Sequence, residues 1–141
     1  MAHQSAGEMR GVADMAFRAD GTLFGWSEST DDLITIDINT GAGTIVGNAN
    51  ISTRGSGLAF DSSGTLYLAG NNANGPLRTV DTATGLTTVV ATLNGSPAPT
   101  QPIASMKFRP GTNVIYATNK ILLFQPAGQP LISSRSTRSL V

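Results

Sequence analysis

The sequence contains no cysteine and a single histidine. The missing thiols exclude disulfide bonds and every metal site that depends on cysteine ligands. The one histidine, His3, lies in a polar N-terminal stretch without other ligand-type side chains around it, so we expect it to be incidental. We predict no cofactor and no metal.

Charge is also scarce, because only 13% of the residues are charged and the formal net charge is zero. Such a balance argues against nucleic acid or an anionic membrane as the main partner. No apolar run approaches the roughly 18 residues of a membrane-spanning helix. The first ten residues lack the apolar core of a signal peptide, so either the protein is intracellular or a leader has been removed. The sequence does not fix the compartment, although a surface or extracytoplasmic location in a bacterium is favoured.

Helical periodicity is absent as well, and a repeat of short apolar runs takes its place. The clearest copy runs from Gly57 to Leu68, and two further copies centre on Phe17 and Phe108. Phe17 and Phe60 are 43 residues apart, and Phe60 and Phe108 are 48 residues apart. A period of roughly 40–50 residues made of short strands is typical of a β-propeller blade. We expect Phe17, Phe60 and Phe108 to be equivalent buried positions.

The repeat predicts an all-β protein with three blades of four antiparallel strands each. The blades cover about 11–50, 51–100 and 101–133, between a flexible lead-in at 1–10 and a frayed tail at 134–141. Turns rich in Gly, Asn, Asp, Ser and Thr separate the strands. The predicted strands are 12–17, 22–26, 33–37 and 43–47; 56–60, 65–70, 77–81 and 87–93; and 103–108, 114–118, 121–125 and 130–133.

The stretch Leu58-Ala59-Phe60-Asp61-Ser62-Ser63-Gly64-Thr65-Leu66-Tyr67-Leu68-Ala69 resembles the NHL-type repeat of six-bladed propellers. The run Asp37-Ile38-Asn39-Thr40-Gly41 resembles the Asp-x-x-Thr-Gly turn of quinoprotein-like propellers. The resemblance covers about residues 11–133. It implies a propeller blade and does not specify an activity.

Three blades are too few for a ring, since natural propellers have about four to eight. A three-bladed arc would leave one apolar blade face exposed at each end, at a cost of several kcal/mol at roughly 25 cal/mol per Å². We therefore predict a homodimer that closes a six-bladed ring. The alternatives are an open arc and a fragment of a longer propeller.

One aspartate recurs in each turn of the repeat, and this regularity favours capping of the turns over catalysis. These aspartates are Asp20, Asp37, Asp61 and Asp81. The acidic loop from Glu28 to Asp32 could supply oxygen ligands to Ca²⁺, but it lacks the spaced ligands of a known calcium loop. A solvated loop is the favoured interpretation.

The loops between second and third strands lie together on one face of a propeller, and they define the candidate site. An aromatic ring beside amides and carboxylates can stack on a sugar and bind its hydroxyls. The alternative for Trp26 is packing between blades. The candidate ligand-binding residues are Trp26, Glu28, Asp31, Asp32, Asn71, Asn72, Asn74 and Asn119.

Two functions remain open. The favoured one is a non-catalytic binding or scaffold module that presents these loops to a carbohydrate or to a protein partner. The other is an enzyme of the six-bladed hydrolase or lactonase type, which holds a metal on carboxylates in the central channel. The predicted inner strands offer only Asp14 for that purpose.

Overall fold

The computed structural model describes residues 11–53, 56–70, 75–92, 103–112, 114–119 and 138–140. These residues form eleven strands and no helix. Among them there is accordingly no helix long and apolar enough to cross a membrane. The strands are β1 (Val12–Phe17), β2 (Leu23–Ser27), β3 (Asp32–Ile36), β4 (Gly43–Asn48), β5 (Gly57–Phe60), β6 (Leu66–Ala69), β7 (Pro76–Val80), β8 (Thr87–Thr92), β9 (Ile103–Phe108), β10 (Ile115–Asn119) and β11 (Arg138–Leu140).

The strands form three separate antiparallel sheets. The first has the order β1-β2-β3-β4, the second β5-β6-β7-β8, and the third β11-β10-β9. Each of the first two is a meander of four sequential strands, which is the construction of a propeller blade. The fold class expected from the repeat is therefore confirmed.

Short turns with the expected chemistry connect the strands within each sheet. In the turn between β1 and β2, the amide of Arg18 donates to the carbonyl of Thr22, and Gly21 has a φ of 89°. In the second sheet the amide of Asp61 donates to Thr65 in the same way, and Gly64 has a φ of 85°. Only glycine adopts such angles without a steric cost. The repeated glycine therefore fixes the geometry of each turn.

The third sheet differs from the sequence prediction. The tail at 134–141 was expected to fray, yet Arg138–Leu140 pairs with β10 and occupies the place of a third strand. Its register repeats that of the second sheet, because Leu140 lies opposite Ile115 just as Val80 lies opposite Leu66. The predicted strands at 121–125 and 130–133 lie outside the described residues.

Two hydrophobic clusters hold the sheets together, one between each pair of neighbours. The first joins sheets one and two around Phe24, Trp26 and Leu33 on one side and Leu58 and Leu68 on the other. The second joins sheets two and three and contains Ala59, Ala69, Leu77, Ile103, Met106, Ile115 and Ala117. Each of the first two blades thus buries one face against the blade that follows it.

Glycine allows the outer edges of the first two blades to touch. A Cβ placed on Gly47 in β4 would lie 2.0 Å from the carbonyl oxygen of Thr84 in the turn between β7 and β8. A Cβ on Gly85, the next residue of that turn, would lie 2.5 Å from the carbonyl oxygen of Gly47. The two backbones therefore meet without any side chain between them.

The three repeated phenylalanines are equivalent in register but not in burial. Phe17, Phe60 and Phe108 lie opposite Leu23, Leu66 and Ile115 in their respective sheets. Phe60 and Phe108 pack against the two clusters, whereas Phe17 is 60% exposed. The expected burial of Phe17 is wrong, because no sheet among the described residues covers its ring.

Candidate functional site

The loop between β2 and β3 is a compact turn. The amide of Asp31 donates to the carbonyl of Ser27 over 2.8 Å, and Asp31 has a φ of 56°. The hydroxyl of Thr30 donates to the Ser27 hydroxyl over 2.9 Å. The positive φ, uncommon for a residue with a side chain, aims the Asp31 carboxylate back toward the protein.

Trp26 lies at the base of this loop and is fully buried. Its indole N–H donates to the hydroxyl of Thr53 over 2.8 Å. The same hydroxyl donates to the carboxylate of Asp31, which also accepts the Thr53 amide over 2.7 Å. A ring so enclosed has no face free to stack on a sugar, and its observed role is packing between blades.

Asp32 is also buried and also serves the architecture. Its carboxylate accepts a hydrogen bond from the side-chain amide of Asn48 over 2.8 Å. The same amide donates to the carbonyl of Thr30 over 2.6 Å. Asn48 thereby ties the end of the outer strand β4 to the loop between β2 and β3.

What remains available to solvent at this end is a small polar surface, to which Glu28, Thr30, Asn48 and Asn50 contribute. Asn119 ends β10 at the place that Ser27 occupies in β2, because both lie opposite the first residue of the inner strand. The predicted site residues Asn71, Asn72 and Asn74 lie outside the described residues.

Asp14 ties the three inner strands to one another. Its carboxylate accepts the amide of Leu58 in β5 over 2.9 Å and that of Met106 in β9 over 3.3 Å. The other oxygen accepts the amide of Met15 over 2.9 Å. The inner strand of a blade has no strand beside it on the side that faces the axis of the propeller. The backbone amides on that side therefore need other acceptors, such as the Asp14 carboxylate. The only carboxylate predicted on the inner strands is thus used for structure.

The turn aspartates bind backbone amides as the repeat predicts. In the β3–β4 turn, Asp37 accepts the amides of Asn39 and Thr40, and these hydrogen bonds lower its pKa. In the β7–β8 turn, Asp81 accepts the amide of Ala83, which lowers its pKa likewise. Both carboxylates are therefore held in the charged form.

The two aspartates of the inner turns behave in the same way. The hydrogen bond from Arg18 is the main cause that holds the pKa of Asp20 well below its usual range. Partial burial raises the pKa of Asp61, but bonds from the Ser63 hydroxyl and the Thr65 amide outweigh it, so the net shift is downward. Turn capping accounts for the bonds that these carboxylates accept within their turns, and Asp20 in addition forms an ion pair with the Arg18 guanidinium.

No three side chains of the types His, Cys, Asp or Glu come together to hold a metal ion among the residues that the structure describes. One buried side chain has no hydrogen-bond partner within the described part of the chain: it is the fully buried hydroxyl of Ser56, at the entry to β5. One unpaired hydroxyl is too little to bind a metal.

Comparison with known proteins agrees with this architecture. Residues 2–102 match the model of a family described as "Repeat of unknown function (DUF6923)". The chain belongs to this family. A comparison with curated proteins finds no match.

Among the solved structures that resemble the chain is the hydrazine synthase of Kuenenia stuttgartiensis, with a TM-score of 0.51 and 17% sequence identity. The similarity covers 84% of this chain and 32% of that one. The chain therefore spans about a third of the length of its structural neighbour. At this identity the likeness concerns the fold alone and supports a propeller-like repeat.

Proposed function

We propose that the chain is a non-catalytic propeller module of the NHL type that serves as a scaffold and binds a partner through the exposed loops at one end. The observation that supports this most is the use of its aspartates. Every aspartate of the sequence lies within the described residues and accepts at least one hydrogen bond from the protein itself. These bonds belong to Asp14, Asp20, Asp31, Asp32, Asp37, Asp61 and Asp81.

Carboxylates occupied in this way are unsuited to catalysis. A hydrolase that uses a metal in its channel needs carboxylate oxygens directed at the ion, and the Asp14 carboxylate instead accepts three backbone amides. A general acid or base needs a pKa near the working pH. The four turn aspartates are shifted in the opposite direction.

The polar end of the first blade is the surface that we assign to binding. Glu28 and Asn50 are exposed there, above a rigid base formed by Trp26, Thr53 and Asp31. Because Trp26 is buried, a protein partner fits this surface better than a sugar that requires aromatic stacking.

Metal content tests the non-catalytic assignment. The purified protein is dialysed with and without EDTA, and calcium and zinc are measured by mass spectrometry together with the melting temperature. We expect less than stoichiometric metal and the same melting temperature in both samples. One calcium or zinc ion per chain, with a loss of stability in EDTA, would instead favour the hydrolase.

The binding surface is tested separately with a Glu28→Ala/Asn50→Ala variant. The variant and the wild type are used to capture partners from solution and are compared on a glycan array. We expect the variant to lose its protein partners while its melting temperature is unchanged. Specific glycan binding by the wild type would redirect the proposal to carbohydrate.

A further inference from the structure

The connection between β4 and β5 carries a motif that the preceding sections have not explained. Asn50-Ile51-Ser52 has the form Asn-x-Ser/Thr, with a residue other than proline in the middle. This motif marks an asparagine to which a glycan can be attached, and the enzymes that attach it recognise the amide together with the hydroxyl two residues later. Short motifs also occur by chance, so the decisive question is where the fold places these two groups.

The structure exposes both side chains that the motif requires. Asn50 and Ser52 are exposed, whereas Ala49 and Ile51, on either side of Asn50, are half-buried and pack against the first hydrophobic cluster. Thr53, which follows Ser52, is buried. Inward and outward residues thus alternate along this segment. The inward residues anchor the backbone, and the amide and hydroxyl side chains are left on the surface.

Local backbone geometry explains the asparagine but not the serine. Asn50 has a φ of 52°, and its backbone amide donates to the side-chain oxygen of Asn48 over 2.7 Å. Asparagine tolerates this left-handed conformation better than most residues do. Among the described residues, however, neither the Asn50 side chain nor the Ser52 side chain takes part in a hydrogen bond. Both groups therefore remain available to an enzyme.

Asn48 shows how an asparagine with a structural role differs from Asn50. The side-chain amide of Asn48 donates to the Asp32 carboxylate over 2.8 Å and to the carbonyl of Thr30 over 2.6 Å. No hydroxyl stands two residues after it, because that position is Asn50 itself. The amide that holds the fold together therefore lacks the motif, and the amide that has the motif holds nothing.

The motif recurs at the same place in the repeat. Among the nine asparagines of the sequence, only Asn50 and Asn94 are followed two residues later by serine or threonine. They are 44 residues apart, and the same interval separates the equivalent turn residues Gly41 and Gly85 of the first two blades. Asn94 lies outside the described residues, so its contribution comes from the sequence alone. The repeat keeps the amide and the hydroxyl together, which favours a role for the pair.

We propose that Asn50 is a site of N-linked glycosylation, and that its substrate is a sugar activated by a diphosphate. In the transfer, the Nδ2 atom of Asn50 forms a bond to the anomeric carbon of the sugar. The bond between that carbon and the diphosphate oxygen breaks, the diphosphate leaves with the bonding electrons, and one amide proton passes to a base of the transferase. This inference does not depend on the proposed function, although Asn50 belongs to the surface assigned to binding.

Protein purified from its own cells provides the decisive measurement. Trypsin cuts after Arg18 and Arg54, so Asn50 lies on one peptide and Asn94 on another. We expect mass spectrometry with fragmentation to find a sugar on Asn50. A block of several sugars would identify a lipid-linked diphosphate as the donor, and a single sugar would identify a nucleotide diphosphate. Unmodified Asn50 in all copies of the protein would overturn the proposal.

Substitutions test whether the modification follows the motif, in the chain secreted from cells that attach N-linked glycans. Asn50→Gln and Ser52→Ala should each abolish the glycan on this peptide, whereas Ser52→Thr should keep it because the hydroxyl is retained. Asn39→Gln is the matched control, since Asn39 is exposed on the same peptide but has Gly41 at the second position. A glycan on Asn50 that survives Ser52→Ala would contradict the proposal.

The Ser52→Ala variant also separates the modification from folding and from partner binding. It loses the glycan but keeps the Asn50 side chain, and it removes a hydroxyl without a hydrogen bond among the described residues. We expect the glycosylated wild type and this variant to have the same melting temperature. A lower value for the glycosylated wild type would contradict the exposed placement of Asn50. Partner capture by the variant is scored apart from glycan occupancy, so the failure of either proposal is recognised without the other.

Discussion

The contact between Gly47 and the Thr84–Gly85 turn makes one substitution unusually informative. Gly47→Ala adds a single methyl group in the outer strand of the first blade. That methyl carbon would lie 2.0 Å from the oxygen and 2.9 Å from the carbon of the Thr84 carbonyl. Both are backbone atoms, so no side-chain rotation relieves the overlap.

The expected magnitude follows from that geometry. Ordinary carbon–oxygen contact requires more than 3 Å, so the two backbones must separate by over an ångström and loosen the packing around Val46 and Ile51. Overpacking in a tight interior costs typically 1–3 kcal/mol. We expect about 3 kcal/mol for Gly47→Ala, because the obstacle is rigid. For a domain of this size that lowers the melting temperature by roughly 10 °C.

Gly70→Ala is the matched control. Among the described residues, a Cβ on Gly70 would meet only the methyl of Thr53, at 3.8 Å, which is ordinary van der Waals contact. This control should be neutral or stabilising by up to about 1 kcal/mol, since alanine restricts the unfolded chain. Urea unfolding monitored by the fluorescence of Trp26 measures both variants. A Gly47→Ala protein within about 0.5 kcal/mol of the wild type would show that the two blades do not touch there in solution.

Three further predictions rest on other contacts. Thr53→Val removes the acceptor of the buried Trp26 indole and should cost about 1–3 kcal/mol in urea unfolding, while Thr53→Ser should cost less because it keeps the hydroxyl. Phe60→Ala should cost about 3 kcal/mol, at the low end for a phenylalanine in a core. Phe17→Ala should leave the free energy of unfolding almost unchanged, and equal losses would contradict the exposure of Phe17. Hydrogen bonds lower the pKa of Asp37 in the folded protein, so its contribution to stability is complete above the unfolded pKa of about 4 and is lost as the pH falls through the folded pKa. Asp37→Asn should therefore flatten the decline of the melting temperature below about pH 5. An unchanged slope would show that Asp37 does not contribute to the acid response.

Sequence reasoning succeeds where the deciding contacts are local. Asp37 and Gly41 lie four residues apart, and the bonds that close their turn run within that interval. The spacing alone therefore identifies the turn and the strands on either side. Turn capping could be preferred over catalysis for the same reason, because the acceptors and donors are adjacent in the chain.

Contacts between distant residues are beyond such reasoning. Asp14 reaches an amide 44 residues away and another 92 residues away. Thr53 binds a carboxylate 22 residues upstream, and its surroundings in the sequence contain no motif to mark it. Trp26 shows the consequence. The polar residues that follow it in the sequence made a sugar-binding role possible, whereas the hydrogen bond to the distant Thr53 accompanies a ring that is buried between blades.

The third strand of the third sheet shows what hydrophobicity alone does not identify. Hydrophobicity selects Ile121 to Gln125, which lies outside the described residues. Register gives a different answer, because Arg138-Ser139-Leu140 repeats the order of Arg78-Thr79-Val80 and pairs with β10 as those residues pair with β6. A serine or threonine between an arginine and an aliphatic residue is a weak local signal. It becomes specific only when the strand beside it is known.

The same register argument separates the covered aromatic positions from the exposed ones. A ring at the phenylalanine position gains from folding only where another blade lies over it. Phe60 and Phe108 have such a neighbour among the described sheets, whereas Phe17 is 60% exposed. The repeat nevertheless places phenylalanine at all three positions and an aromatic ring at the complementary position of all three blades. The pattern within a blade is therefore the same whether or not its phenylalanine is covered, so the sequence alone could not distinguish Phe17 from Phe60 and Phe108.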